Sequence, residues 1–182
     1  MCAKVIMSRT SKVLRWVSLS LLFGGSVSVV VAAITLVKAA EAQGVPVAQA
    51  AATNAPVFIE FSKIALAAAL ALVIGESVDY ASHRRLSNVL VLRYAASLLC
   101  AATAMVFSLG IVPSMEQLLP ALKTNPAAHE EFHKLHETSR MVFGATILLA
   151  LTSLLLPAFQ NEPELVEGRV DSPQLEKAPN RV

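Results

Sequence analysis

Three of the chain's four histidines stand close together, and their spacing is where chemistry could be sought first. In the stretch from Asn125 to Arg140, the residues His129, Glu130 and His133 satisfy the pattern H-E-x-x-H. On a helix this spacing sets two imidazoles on one face, a turn apart, with the glutamate placed as a general base, as in zinc peptidases. A third ligand would have to come from another segment. The apolar run that follows holds no acidic residue, and Glu116, upstream, is only a nominal candidate. His136 extends the stripe, so His129, His133 and His136 together form a candidate metal site, with all three on one helical face. At 1.5 Å rise per residue the outer two Cα atoms lie about 10.5 Å apart, which strains chelation by one straight helix. Two of these histidines joined by Glu60 or Glu116 would suit a metal or haem better. The reading that asks least of the sequence treats the histidines as interfacial residues bonding to neighbours and lipid headgroups. Phe132 and Leu135 would then anchor the helix entry, with Arg140 reaching back to the membrane boundary.

Glu60 and Lys63 stand one turn apart in another apolar run, where they can neutralise each other. A charge at the centre of a membrane helix costs about 2.5–3.5 kcal/mol, so the pair is expected shallow or facing a wet pocket. It could meet the histidine stripe across a bundle as a ligand cluster of His136, Glu60, Lys63 and Arg140. At the opposite end of the same run, Glu76 and Asp79 precede a turn and Arg93 follows it, which suggests an ion pair closing a helical hairpin. His83, Arg84 and Arg85 in that turn are expected to set topology and touch headgroups.

The elements that must position these residues are membrane helices. With 55% hydrophobic and 15% charged residues, the 182-residue chain is too apolar for an ordinary soluble domain. A formal net charge of +2 with dispersed basic residues gives no nucleic-acid footprint. Cys2 and Cys100 have no CxxC spacing and support neither a disulfide framework nor a thiolate metal site. Four runs can each span a hydrocarbon core of about 30 Å, at approximately 16–37, 57–78, 90–112 and 141–159. Asn125 and Pro126 suit the cap and first position of the last helix, which should run unbroken to Pro157.

Lys4, Arg9, Lys12 and Arg15 precede the first run, and Arg84 and Arg85 separate the second and third. The other two connections lack such an excess, so both termini are expected in the cytoplasm. The first run also has features of a secretory signal, with a small-residue site at Ala40-Glu41-Ala42. Its length, near 22 residues against about 7–15 for a signal core, favours retention as a span. Small residues at every fourth position mark expected packing seams: Ser20, Gly24, Ser28 and Ala32; Ala67, Ala71 and Gly75; Ala96, Cys100, Ala104 and Ser108; and Gly144. The expected organisation is a basic arm over residues 1–15, a membrane domain over 16–159 and a disordered polar tail over 160–182.

Several short segments carry a family resemblance: Phe23-Gly24-Gly25, Pro56-Val57-Phe58, Val112-Pro113, and Phe132, Leu135 and His136 ahead of the last run. In that order they resemble the transmembrane protein 205-like family, small four-span bundles known as a domain of unknown function. The resemblance covers about Trp16 to Leu156. It implies an all-α integral membrane four-helix bundle and supplies no catalytic residue or cofactor. A looser likeness to small copper-resistance and haem-pathway bundles motivates the ligand reading at His136. The sequence is therefore read as a non-enzymatic membrane component or partner-binding subunit. A copper- or haem-binding bundle is the rival, with a zinc peptidase third. The expected partners are the lipid bilayer and a second copy or another membrane protein, most simply in a bacterial inner membrane, with a thylakoid as the other candidate.

Overall fold

The computed structural model describes residues 2–46, 49–50, 53–83, 87–122 and 124–159, with side chains from residue 9 onward. Arg84, Arg85 and the 160–182 tail lie outside the described residues. Four long rods make up the architecture, each holding a stretch apolar and long enough to cross a membrane. The first, α1, covers residues 2–42 as an α-helix Cys2–Ser20, a π-helical turn Leu21–Gly25 and an α-helix Ser26–Ala42. Next, α2 is Ala55–Ser82. The third, α3, is Asn88–Ala121, with a π-helical turn at Val106–Ile111. The last, α4, is Pro126–Phe159, closing in a 3-10 turn at Leu156–Phe159 that contains Pro157. The segment expected as a basic arm is thus helical from Cys2 and continuous with the first span.

Local chemistry sets the starts of these rods. The Asn125 side chain accepts from the Ala127 N–H at 3.0 Å, with Pro126 in the first turn, where its missing N–H costs nothing. Ser87 caps α3 by accepting from the Leu90 N–H at 3.3 Å. Asn54, ahead of α2, spends its side chain differently, donating to the Ala33 carbonyl of α1 at 3.3 Å. That bond places the start of α2 beside residue 33, so residues 34–42 of α1 run on past it.

The rods pack antiparallel in sequence order, and α1 also meets α4. In lipid no hydrophobic effect pulls helices together, so contact depends on small residues that let backbones approach. The third seam behaves as expected: Ala96, Cys100, Ala104 and Ser108 are all buried. The first does not. Ser20 and Ser28 are exposed, and the buried line of α1 is Ser11, Arg15, Ser18, Leu19, Leu22 and Ser26. The two lines differ by two residues, about 200° around the helix. Serine at every fourth position describes either face equally well, and the face that turned inward is the one carrying Arg15. On α2, Ala67 is exposed and Ala71 half-buried, while Ala65, Ala68, Ala69 and Leu72 form the core line that leads to Gly75.

At Gly75 the α1 backbone packs directly against α2. A Cβ there would sit 3.3 Å from the Ser11 carbonyl oxygen and 3.5 Å from the Arg15 nitrogen, both backbone atoms that cannot swing away. Gly75→Val should therefore push α1 off α2 and cost about 1–3 kcal/mol, as overpacking does. Gly24→Ala, where a Cβ meets nothing within 4 Å, should leave stability unchanged in the same detergent-unfolding assay.

Candidate functional site

The histidine stripe and its expected partners lie on the outer surface. His129, His133, His136 and Arg140 are all exposed on the polar first half of α4, and Glu116 is exposed towards the end of α3. Glu130 accepts from Lys134 Nζ at 2.7 Å, and His133 Nδ1 is 3.7 Å from Glu137 Oε1. The Lys134 ammonium holds the Glu130 carboxyl below its usual range, which weakens it as a base. Glu60 and Lys63 pair with each other at 2.6 Å, and both are exposed. No recorded hydrogen bond or ion pair joins either to His136 or Arg140 among the described residues. No set of three or more His, Cys, Asp or Glu residues among them converges to hold a metal ion.

Charge is instead concentrated inside the bundle, at the end opposite those histidines. Arg93 of α3 points its Nη2 between two carboxylates of α2, donating to Glu76 Oε2 at 2.9 Å and to Asp79 Oδ2. The Tyr94 hydroxyl donates to the same Asp79 Oδ2 at 3.0 Å. Its ring carries the Arg93 guanidinium at 4.4 Å from the centroid and meets Tyr80 edge-on at 5.6 Å. His83, just past the end of α2, donates from Nδ1 to the Asp79 carbonyl at 2.8 Å and lies 3.3 Å from the Tyr94 hydroxyl. Arg15 enters from α1. Only 6% of it is exposed, and its electrostatic neighbours are Glu76, Asp79 and Arg93.

Helical geometry explains why these side chains meet. Glu76 and Asp79 stand at i and i+3, followed by His83 at i+7, so all three share one face of α2. The turn after His83 brings α3 back antiparallel, setting Arg93 and Tyr94 against that face. Gly75, beside Glu76, lets the α1 backbone close in until Arg15 reaches the same level. Two arginines and two carboxylates then balance in charge within a protein-lined interior. Glu76 is 1% exposed, and an unpaired charge at such a site would carry a large desolvation penalty.

The hairpin ion pair expected from Glu76, Asp79 and Arg93 is present. Arg15 was expected among the basic residues that set topology, and its burial is the feature sequence reasoning missed. The available signal was the spacing of Ser11, Arg15, Ser18 and Leu22, a stripe with one charge in it, together with a glycine adjoining an acidic residue on α2.

Above the charged cluster the interior is held by small hydroxyls and aromatic rings. Ser97 of α3 bonds Ser153 of α4, the Thr146 hydroxyl donates to Thr103 Oγ1 at 2.9 Å, and Ser108 donates to the Ser62 carbonyl at 2.9 Å. Phe143 of α4 packs against Phe107, Phe61 and Phe58 with centroids 4.8, 6.0 and 6.3 Å away.

These features define a class: among the described residues, an all-helical bundle of four rods, each long and apolar enough to cross a membrane, with a charge-balanced polar centre near one end. Comparison with protein-family models, with curated proteins and with solved structures returned no match.

Proposed function

We propose that the chain is a non-enzymatic membrane component that presents α1 to a partner within the bilayer, with both termini in the cytoplasm. One observation carries this reading. In the most apolar window of α1 only 11% of residues are buried, against 50% in α3. Val27, Val31 and Ile34 on its second half are exposed, beside small residues Ser28 and Ala32 that allow close approach by another helix. Arg93, Glu76 and Asp79 are engaged with one another inside the bundle, which suits a structural subunit. Lys4, Arg9 and Lys12 at the N-terminal end of α1 support the proposed orientation, and the resemblance to transmembrane protein 205-like bundles supports the four-span organisation.

Cysteine crosslinking tests the partner. With Cys2 replaced by serine and Cys100 retained as a buried internal control, Ile34→Cys or Val31→Cys in intact membranes should give one discrete crosslinked species, a second copy or a fixed membrane protein. Leu148→Cys on α4 should give none. A ladder of unrelated products from every exposed position would mean that α1 faces lipid alone. Gln43→Cys and Asn125→Cys should react with an impermeant maleimide from outside the cell, and Ser82→Cys only after lysis; the reverse pattern would invert the topology.

A further inference from the structure

The geometry points to a proton-binding site: Glu76 and Asp79 act as one carboxylate pair that takes up a single proton through His83 and Tyr94. It is loaded from the end of the bundle that carries the α2–α3 turn.

The two carboxylates converge on one nitrogen. Arg93 Nη2 serves both Glu76 Oε2 and Asp79 Oδ2, so those oxygens lie within two hydrogen-bond lengths of each other. Like charges that close in a protein interior resist being ionised together and titrate as a pair. Each carboxylate also has a second oxygen, Glu76 Oε1 and Asp79 Oδ1, that is buried and has no hydrogen-bond partner among the described residues. A proton on the pair converts an acceptor without a donor into a group able to donate. Both residues are more than nine-tenths buried.

A route to the pair is built into the same residues. The His83 side chain is 37% exposed and gives the hydrogen-bonded groups around Asp79 access to water. Its Nδ1 is 3.3 Å from the Tyr94 hydroxyl, which is 3.0 Å from Asp79 Oδ2. In one transfer, water delivers a proton to His83 Nε2 while the Nδ1 proton leaves the Asp79 carbonyl for the Tyr94 oxygen, and turning the imidazole over then returns an N–H to that carbonyl. The tyrosine hydroxyl hands its own proton to Asp79 Oδ2. The imidazole and the phenol end neutral, and the net change is one proton on the pair.

The surroundings determine what that proton does. Facing the pair are Arg15 from α1, Arg93, Tyr94 and Ser97 from α3, and His83 from α2 itself. Behind Ser97 stands Ser153 of α4, which bonds it. Before uptake the two arginines balance the two carboxylates, and afterwards one positive charge is in excess. Arg15 is the arginine with no recorded ion pair to a carboxylate, and its Nε is buried without a partner among the described residues. The excess therefore weakens the hold on α1 at its contact with Gly75. Proton uptake loosens the first helix from the α2–α3 hairpin.

Infrared difference spectroscopy on the full chain in lipid nanodiscs, between neutral and mildly acidic pH, reads the protonated carboxyl directly. The wild type should gain a carboxylic acid band that is missing from both Glu76→Gln and Asp79→Asn, because removing either carboxylate leaves Arg93 to the other. Loss of the band in one variant only would overturn the shared site, as would a wild type with no such band while it remains folded. Should both variants fail to fold, the wild type still decides. Carboxyl-13C labelling of glutamate and of aspartate, in separate samples, must each shift this band, and a shift with one label alone would overturn the pair. In His83→Ala the band should reach the same amplitude after a pH jump but appear roughly a hundredfold more slowly, the lower end of what a positioned proton-transfer group contributes. An unchanged rate would overturn the route.

Discussion

Arg93→Ala should destabilise the bundle by about 3–5 kcal/mol, the usual cost of removing one partner from a buried ion pair. The loss is large because Arg93 serves two carboxylates at once, and Glu76 and Asp79 stay behind with only the less closely engaged Arg15 to offset them. The cation–π contact with Tyr94 goes as well. Reversible unfolding in mixed micelles would measure the effect. Adding Glu76→Gln to Arg93→Ala should recover part of the loss, since one bare charge is removed, and a double-mutant cycle on the two positions would give their coupling. Lys63→Ala, which breaks an exposed pair, should be indistinguishable from wild type. If Arg93→Ala behaved like Lys63→Ala, the cluster would be too well hydrated to act as a buried one.

The second large effect is expected at Phe143→Ala, at about 3 kcal/mol, the lower part of the range for deleting a buried aromatic ring. Phe143 is the hub of the aromatic group, touching Phe107 of α3 and both Phe58 and Phe61 of α2. Its ring joins α4 to two other rods at that level. The penalty in lipid comes from lost packing contacts, since hydrocarbon outside the bundle is as apolar as its interior. Phe143→Leu should restore most of the loss in the same unfolding assay. Phe159→Ala, at a position 72% exposed, should change nothing. A cavity that collapsed without cost on Phe143→Ala would show that α4 is held chiefly by Ser97–Ser153 and Thr103–Thr146. The magnitudes oppose that outcome, because interhelical hydrogen bonds in membranes average about 0.6 kcal/mol each.

The two variants probe the two kinds of interior that the bundle combines. Near one end charge is buried and must be matched, so a single deletion leaves an expensive remainder. Farther along, rings and small residues interlock, and a deletion costs only what the neighbours cannot refill. The histidine stripe of α4 belongs to neither. His129, His133 and His136 stand outside the core on a helix that continues into it, which is why a pattern with the spacing of a zinc motif meets no further ligand across the bundle among the described residues.

Much of the scaffold follows from one-dimensional information. Four apolar stretches of sufficient length, each ended by polar or turn-forming residues, specify four rods, because lipid leaves the backbone no partner but itself. Asn125 and Pro126 mark the start of α4, since cap chemistry is local and acts within one turn. The hairpin pairing of Arg93 with Glu76 and Asp79 was legible for a related reason. A short turn between two apolar helices leaves charges at their adjoining ends little choice of partner. What the one-dimensional pattern could not decide was rotation. Ser18, Leu22 and Ser26 share their spacing with Ser20, Gly24 and Ser28, and in lipid no gradient of hydrophobicity tells the inner face from the outer. Only packing settled it. The close approach of α1 at Gly75 turned the Ser11–Arg15–Ser18 face inward, and the need to match two buried carboxylates made that face the stable one. The same rotation moved Arg15 from the membrane flank into the polar centre.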